Sequence, residues 1–189
     1  MKAILSHIAT IQTGVFSKSV AKGDVVYLQA RHFDESGELT SALHPDLQTS
    51  KTTEKHLLQP GDVLFAAKGT KNFAAVYESQ NPAAVASTTF FVIRLLDKTI
   101  LPAYLAWMLN NPAAQKVLKG SAIGSAMVSI SKAVLEALEI TVPSIKQQQI
   151  ILEIARLSKK ENSLLLQLAE LRQQYVQHQI IKAIDKSNG

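Results

Sequence analysis

Two lysines, a threonine and an asparagine crowd around one glycine in Ala67-Lys68-Gly69-Thr70-Lys71-Asn72-Phe73, between two apolar runs. Ammonium groups attract phosphates whatever the base sequence, whereas hydroxyl and amide side chains can hydrogen-bond to base edges. Lys68 and Lys71 are therefore candidate phosphate contacts, and Thr70 and Asn72 candidate base-edge contacts. Ser17-Lys18-Ser19-Val20-Ala21-Lys22 and Gln29-Ala30-Arg31-His32 have the same donor-rich character and add Lys18, Lys22 and Arg31. Each segment alone also fits an ordinary solvated loop. Three of them in one region form a pattern.

Catalytic chemistry leaves no comparable trace. The five histidines, His7, His32, His44, His56 and His178, lack the i, i+4 pairing that metal sites use, and the chain contains no cysteine. No Gly-x-Ser-x-Gly elbow, phosphate-binding P-loop or dinucleotide fingerprint is present. Asn81-Pro82 and Asn111-Pro112 lack the proline and aromatic that would complete an amino-methyltransferase tetrapeptide. The residue types predict no catalytic residue, no metal and no cofactor.

The candidate contacts must be held by strands. Apolar stretches at 8–11 and 25–28, separated by Gly14 and Gly23, have the length and punctuation of short strands. Further strands are predicted at 63–67, 73–77 and 88–95, with polar turns at 34–38 and 59–62. The period then changes. Pro102 opens a short amphipathic helix over 102–109, a second follows over 112–118, and Tyr104 and Trp107 are either stacking platforms or helix core. A small-residue loop, Lys119-Gly120-Ser121-Ala122-Ile123-Gly124-Ser125, either follows a phosphate backbone closely or simply joins two helices. A helix over 132–138 and a strand over 139–142 complete a β-rich body.

Beyond Val142-Pro143-Ser144 the pattern is helical to about residue 184. Ser144 followed three residues later by Gln147 has the form of a capping box. Ile150, Ile154, Leu157, Glu161, Leu164, Leu168, Leu171, Tyr175 and His178 alternate steps of four and three, the seam spacing of a coiled coil. Such an arm is roughly 50 Å long, too long to hide against one small domain. In a parallel pair Glu161 faces Glu161 and His178 faces His178. An antiparallel pair centred near Leu166 sets Ile154 against His178, Leu157 against Tyr175, Glu161 against Leu171 and Leu164 against Leu168, with Arg172 in reach of Glu161. The predicted dimerisation residues are Ile150, Ile154, Leu157, Leu164, Leu168, Leu171 and Tyr175.

The expected fold class is α+β: a β-rich domain with short helices, then a long C-terminal helix forming an antiparallel coiled coil in a dimer. The predicted divisions are 1–143 for the domain, 144–186 for the helix and 187–189 for a tail. With 189 residues, 47% hydrophobic content and a net charge of +5, the chain is globular and tolerates a polyanion as partner. The excess is spread along it: 13 Lys+Arg against 11 Asp+Glu before Lys146, and 7 against 4 from there on. No apolar run suits a signal core or a membrane span, so a cytoplasmic protein is expected.

Several motifs occur in a distinctive order: Leu5-x-x-Ile8-Ala9-x-Ile11-x-Thr13-Gly14; Leu58-x-Pro60-Gly61-Asp62-Val63-Leu64-Phe65 ahead of Lys68-Gly69-Thr70; and Leu101-Pro102-Ala103-Tyr104-Leu105 with Leu109. They close with Ile130-Ser131, Leu135, Leu138-x-Ile140-x-Val142-Pro143, Gln148 and Ile150-Ile151. This ordered set resembles the specificity (S) subunit of type I restriction-modification systems in a half-length form. It departs by carrying one recognition domain and one helix where two of each are common, and by having Ser144 and Gln147 where a proline and an acidic residue are usual. The resemblance implies a non-catalytic subunit that reads double-stranded DNA as a homodimer and carries a methyltransferase (M) subunit. In the complete system it also carries a restriction (R) subunit. S-adenosylmethionine would then belong to the partner methyltransferase alone. The rival readings are a coiled-coil interaction adaptor that binds no DNA and a small enzyme with a dispersed site.

Overall fold

The computed structural model describes residues 1–34, 37–40, 42–69, 72–96, 98–120 and 129–187. Two compact units divide the chain, Met1–Gln148 and Gln149–Gly189. The first unit begins with β1 (Lys2–Ile4), a one-turn helix α1 (Leu5–Ile8), β2 (Ala9–Thr13) and β3 (Val26–Leu28), followed by a 3-10 turn over Ala30–His32. Next come α2 (Lys51–Lys55), β4 (Val63–Ala66), β5 (Ala74–Val76), β6 (Ala84–Ala86) and β7 (Phe90–Leu95). The helices α3 (Pro102–Asn110), α4 (Pro112–Gly120) and α5 (Lys132–Glu136), then β8 (Glu139–Thr141), lead to the long helix α6 (Ile145–Ser187). The architecture is the expected α+β one, a β-rich domain with short helices and a long C-terminal helix.

A four-stranded antiparallel sheet, in the order β2-β7-β4-β5, forms the centre. Strand β4, Val63-Leu64-Phe65-Ala66, is buried along its whole length, which explains its unbroken apolar run. Beside it β3 pairs in parallel with β6, Val26 to Ala84 and Leu28 to Ala86. Alternation divides this pair between two clusters: Val26, Leu28, Ala84 and Ala86 pack with Leu64 and Phe90, while Tyr27 and Val85 pack with Val25 and Leu47. Helix α3 lies against β4 and β5 and buries Tyr104, Leu105, Ala106 and Leu109. Its last residue, Asn110, accepts from the Ala74 N–H at 2.7 Å and donates to the Ala74 carbonyl at 2.8 Å, so one side-chain amide pairs with the outer strand β5.

Two buried polar groups fix the frame. Asp62, 1% exposed, accepts from Arg94 Nε and Nη2 at 2.7 Å each and from the Gln59 N–H at 2.8 Å, tying the turn before β4 to β7. The hydrogen bond to Asp62 holds the Arg94 guanidinium above its usual range. Gln148 is fully buried. Its Oε1 accepts from the Leu101 N–H at 2.8 Å, and its Nε2 donates to the carbonyls of Thr99 at 2.7 Å and Pro143 at 2.9 Å. The expected cap is present one residue earlier: the Ser144 N–H donates to Gln147 Oε1 at 3.1 Å, and the Gln147 N–H to Ser144 Oγ at 3.4 Å.

Several element boundaries differ from the sequence expectation. Ile8 closes a turn of helix, and β2 begins only at Ala9. The run from Thr88 starts with a turn, closed by the Phe90 N–H on the Ser87 carbonyl at 3.0 Å, and β7 begins at Phe90. Gly120 belongs to the last turn of α4, and the rest of the predicted small-residue loop, 121–125, lies outside the described residues. Strands β1 and β6 and helix α2 had no sequence expectation. Among the described residues no helix is long and apolar enough to cross a membrane.

Candidate nucleic-acid interface

The topology gathers loops at one end of the central sheet. Because β2 and β4 both run antiparallel to β7, with Thr13 opposite Phe91 and Ala66 opposite Phe90, the ends of β2 and β4 meet the start of β7. The turn 87–89 is where they join. Val15 bridges to Ser87, the Ser87 N–H donates to the carbonyl of Leu28 at the end of β3, and the Ala67 N–H donates to the Thr89 carbonyl, both at 2.9 Å. Gly14 passes so close that a Cβ there would lie 2.1 Å from the Ser87 carbonyl oxygen, so no larger residue fits. The segments leaving β2, β3 and β4 thus set out from around one turn.

The predicted contacts distribute over these segments as follows. Lys68 is exposed at the exit of β4, where its backbone bridges to Ser129. Gly69 follows at φ 131°, a conformation that favours glycine. Thr70 and Lys71 lie outside the described residues. Arg31 is exposed on the 3-10 turn beyond β3, and the Phe33 ring packs 5.5 Å from Phe73 and 5.7 Å from Phe90, fixing that segment to the same end. Lys18 is exposed just beyond Ser17, whose N–H donates to the Tyr27 hydroxyl at 3.3 Å. Lys22 is exposed but not gathered with the others, because its segment returns to the start of β3, where Gly23 donates to Pro45 and Gln48 donates to the Lys22 carbonyl.

Asn72, the second base-edge candidate, is buried. It is 8% exposed, and its Nδ2 donates to the Ala66 carbonyl at 2.8 Å. Its Nδ2 thus serves the frame of its own hairpin, while among the described residues its buried Oδ1 meets no donor. Tyr104 resolves in favour of core packing: it is buried, donates to the Thr141 carbonyl at 2.9 Å, and sits 5.7 Å from the half-buried Trp107 ring. His32 shapes the Arg31 turn by accepting from the Gln29 N–H through Nδ1 at 3.2 Å. Burial, then the neighbouring Arg31 charge, hold its pKa below the usual histidine value. Sequence reading missed the turn 87–89. Its one signal was Ser-Thr-Thr, three small hydroxyl residues placed directly before an aromatic strand.

The second unit, considered by itself, is helix. Ile150, Ile154, Leu157, Leu164, Leu168, Leu171 and Tyr175 are each half exposed or more, Leu157 at 50% and Tyr175 at 64%. Leu165, Leu166, Val176, Ile180, Ile181 and Ile184 add exposed apolar surface off that seam.

Comparison with known families decides the class. Residues 8–170 match the family model for the type I restriction modification DNA specificity domain. The chain belongs to this family. The specificity-domain fold recurs in solved structures at low identity. A chain from work on complex assembly and conformational transition of the type I R-M system aligns with TM-score 0.64 and 16% identity, over 87% of this chain and 39% of its own length. The S subunit of a type I restriction-modification system from M. genitalium gives TM-score 0.59 at 14% identity, over 90% and 42%. The HsdS subunit from Thermoanaerobacter tengcongensis gives 0.59 at 16%, over 85% and 37%. At such identities the likeness is one of fold, and the chain spans about two fifths of these relatives. A search of curated proteins finds no match.

Proposed function

We propose that this chain is a DNA-reading specificity subunit in half-length form, which recognises a bipartite duplex target as a homodimer and docks methyltransferase subunits. The observation that carries the reading is that the segments bearing Lys18, Arg31 and Lys68 leave β2, β3 and β4 from around the turn 87–89, in a member of a DNA specificity family. Residues 1–143 read DNA, 144–186 form the spacer and dimerisation helix, and 187–189 are a tail. Lys18, Lys22, Arg31, Lys68 and Lys71 attract phosphates, and Thr70 contacts base edges. The chain itself does no catalysis. The chemistry belongs to the methyltransferase subunit and, in a complete system, to the restriction subunit.

The dimer supplies the second half that longer relatives carry in one polypeptide. Its support is the open seam on α6, apolar surface that an antiparallel second copy would cover in the register centred near Leu166. Two reading domains spaced by a helix of roughly 50 Å engage positions more than one DNA turn apart. The target is then two inverted half-sites separated by unread bases. Selection from a random-sequence duplex library with the full chain should enrich such a motif. If the chain retains no duplex at low salt, even with its methyltransferase subunit present, the adaptor reading takes its place.

A further inference from the structure

The core takes up five of the six phenylalanines: Phe65, Phe73, Phe90 and Phe91 are buried, and Phe33 packs against Phe73 and Phe90. Phe16 is 80% exposed. A single exposed apolar side chain is ordinary on a protein surface. This one differs in how it is mounted. Val15 bridges to Ser87 and its N–H donates to the Ala86 carbonyl at 2.9 Å. The buried Tyr27 then closes its hydroxyl around the residue between, donating to the Val15 carbonyl at 3.0 Å and accepting from the Ser17 N–H at 3.3 Å. The backbone on both sides of Phe16 is held while its ring stands in solvent. Lys18 follows two residues later, and Lys68 leaves the other side of the turn 87–89.

Resting on the DNA-reading proposal above, we infer that Phe16 is the apolar base contact of the reading domain, pressed onto a base within the groove that the surrounding cations address. Phosphate lysines position a duplex but carry no sequence information, whereas an aromatic ring meets either a thymine methyl or an opened base step. A rigid mount suits both contacts, since a yielding side chain would be displaced by the stacked bases. Thr88 and Thr89, half-buried on the adjoining turn, lie within the same group of segments.

The test is library selection with the parent chain and with Phe16→Ala. The ring buries little, so far-UV dichroism and melting temperature of the variant should match the parent. The variant is expected to enrich the parent's motif with its preference erased at one base step. It should bind the parent's best duplex on the order of tenfold more weakly, with an unchanged salt slope. At that step, deoxyuridine in place of thymine reproduces the loss if the ring meets a methyl group. A 2-aminopurine that brightens with the parent and stays dark with Phe16→Ala marks insertion between bases. An identical motif and affinity for Phe16→Ala overturns the inference and leaves the DNA-reading proposal standing. If the parent itself enriches no motif, that proposal fails and this one with it.

Discussion

Lys68 is exposed where the chain leaves β4, so in its proposed role as a phosphate contact its contribution would be screened by salt and blind to base sequence. Lys68→Ala should weaken binding to every duplex alike and flatten the slope of log affinity against log salt by about one unit; filter binding at several salt concentrations measures both. Asn72 predicts a different response. Asn72→Ala removes the hydrogen bond to the Ala66 carbonyl, so its first effect is a loss of about 1 kcal/mol of folding stability in a urea titration. That division between neighbours in one loop was not legible in the sequence. Lysine, threonine and asparagine are equally at home on a loop surface, and only the path of the backbone decides which of them turns inward. His32 carries a pH dependence of definite sign. Its pKa is lowered in the fold, so the unfolded chain takes up the proton first as pH falls through about 6.5. The stability it supports is complete above that value and is lost toward acid. Between about pH 7 and 5 the parent should lose more stability than His32→Gln.

At the scale of elements, Gln148 joins the first turn of α6 to the segment before α3 through two hydrogen bonds, to Leu101 and Thr99, and makes a third to Pro143 ahead of its own helix. Gln148→Ala leaves the Leu101 N–H and the two carbonyls without that partner, and should cost about 2 kcal/mol in the same titration. Far-UV dichroism should retain the helical signal, because the Ser144–Gln147 cap is independent of Gln148. The long helix was legible because its apolar period persists over many turns and its cap is written in the residue types. Strands β4 and β7 were legible for a related reason, each being a run of large apolar residues. Strand β6 was not. Its Ala84-Val85-Ala86 follows Asn81-Pro82-Ala83, and a three-residue strand flanked by alanine and proline gives no readable alternation, although alternation is what divides β3 and β6 between two clusters. The position of Lys22 was also hidden. A loop with donors at both ends reads as one patch, yet it spans from the end of β2 to the start of β3 and separates them.

For the whole molecule, a homodimer makes the seam and the DNA target two consequences of one symmetry. Leu168→Glu sets a carboxylate in the middle of the proposed antiparallel register and should yield monomers by light scattering. An unchanged dimer mass would remove the seam from the account. If the dimer does dissolve, each monomer should still grip a single half-site, with the inverted repeat lost from the selected motif. Self-association also has a second potential route, along the rim of the sheet. Asn110 imitates the peptide group of an absent neighbour, filling donor and acceptor positions of Ala74 that another strand would otherwise seek. Whatever the fate of the proposed helical dimer, this amide discourages association through strands, and Asn110→Leu should drive the protein toward sediment.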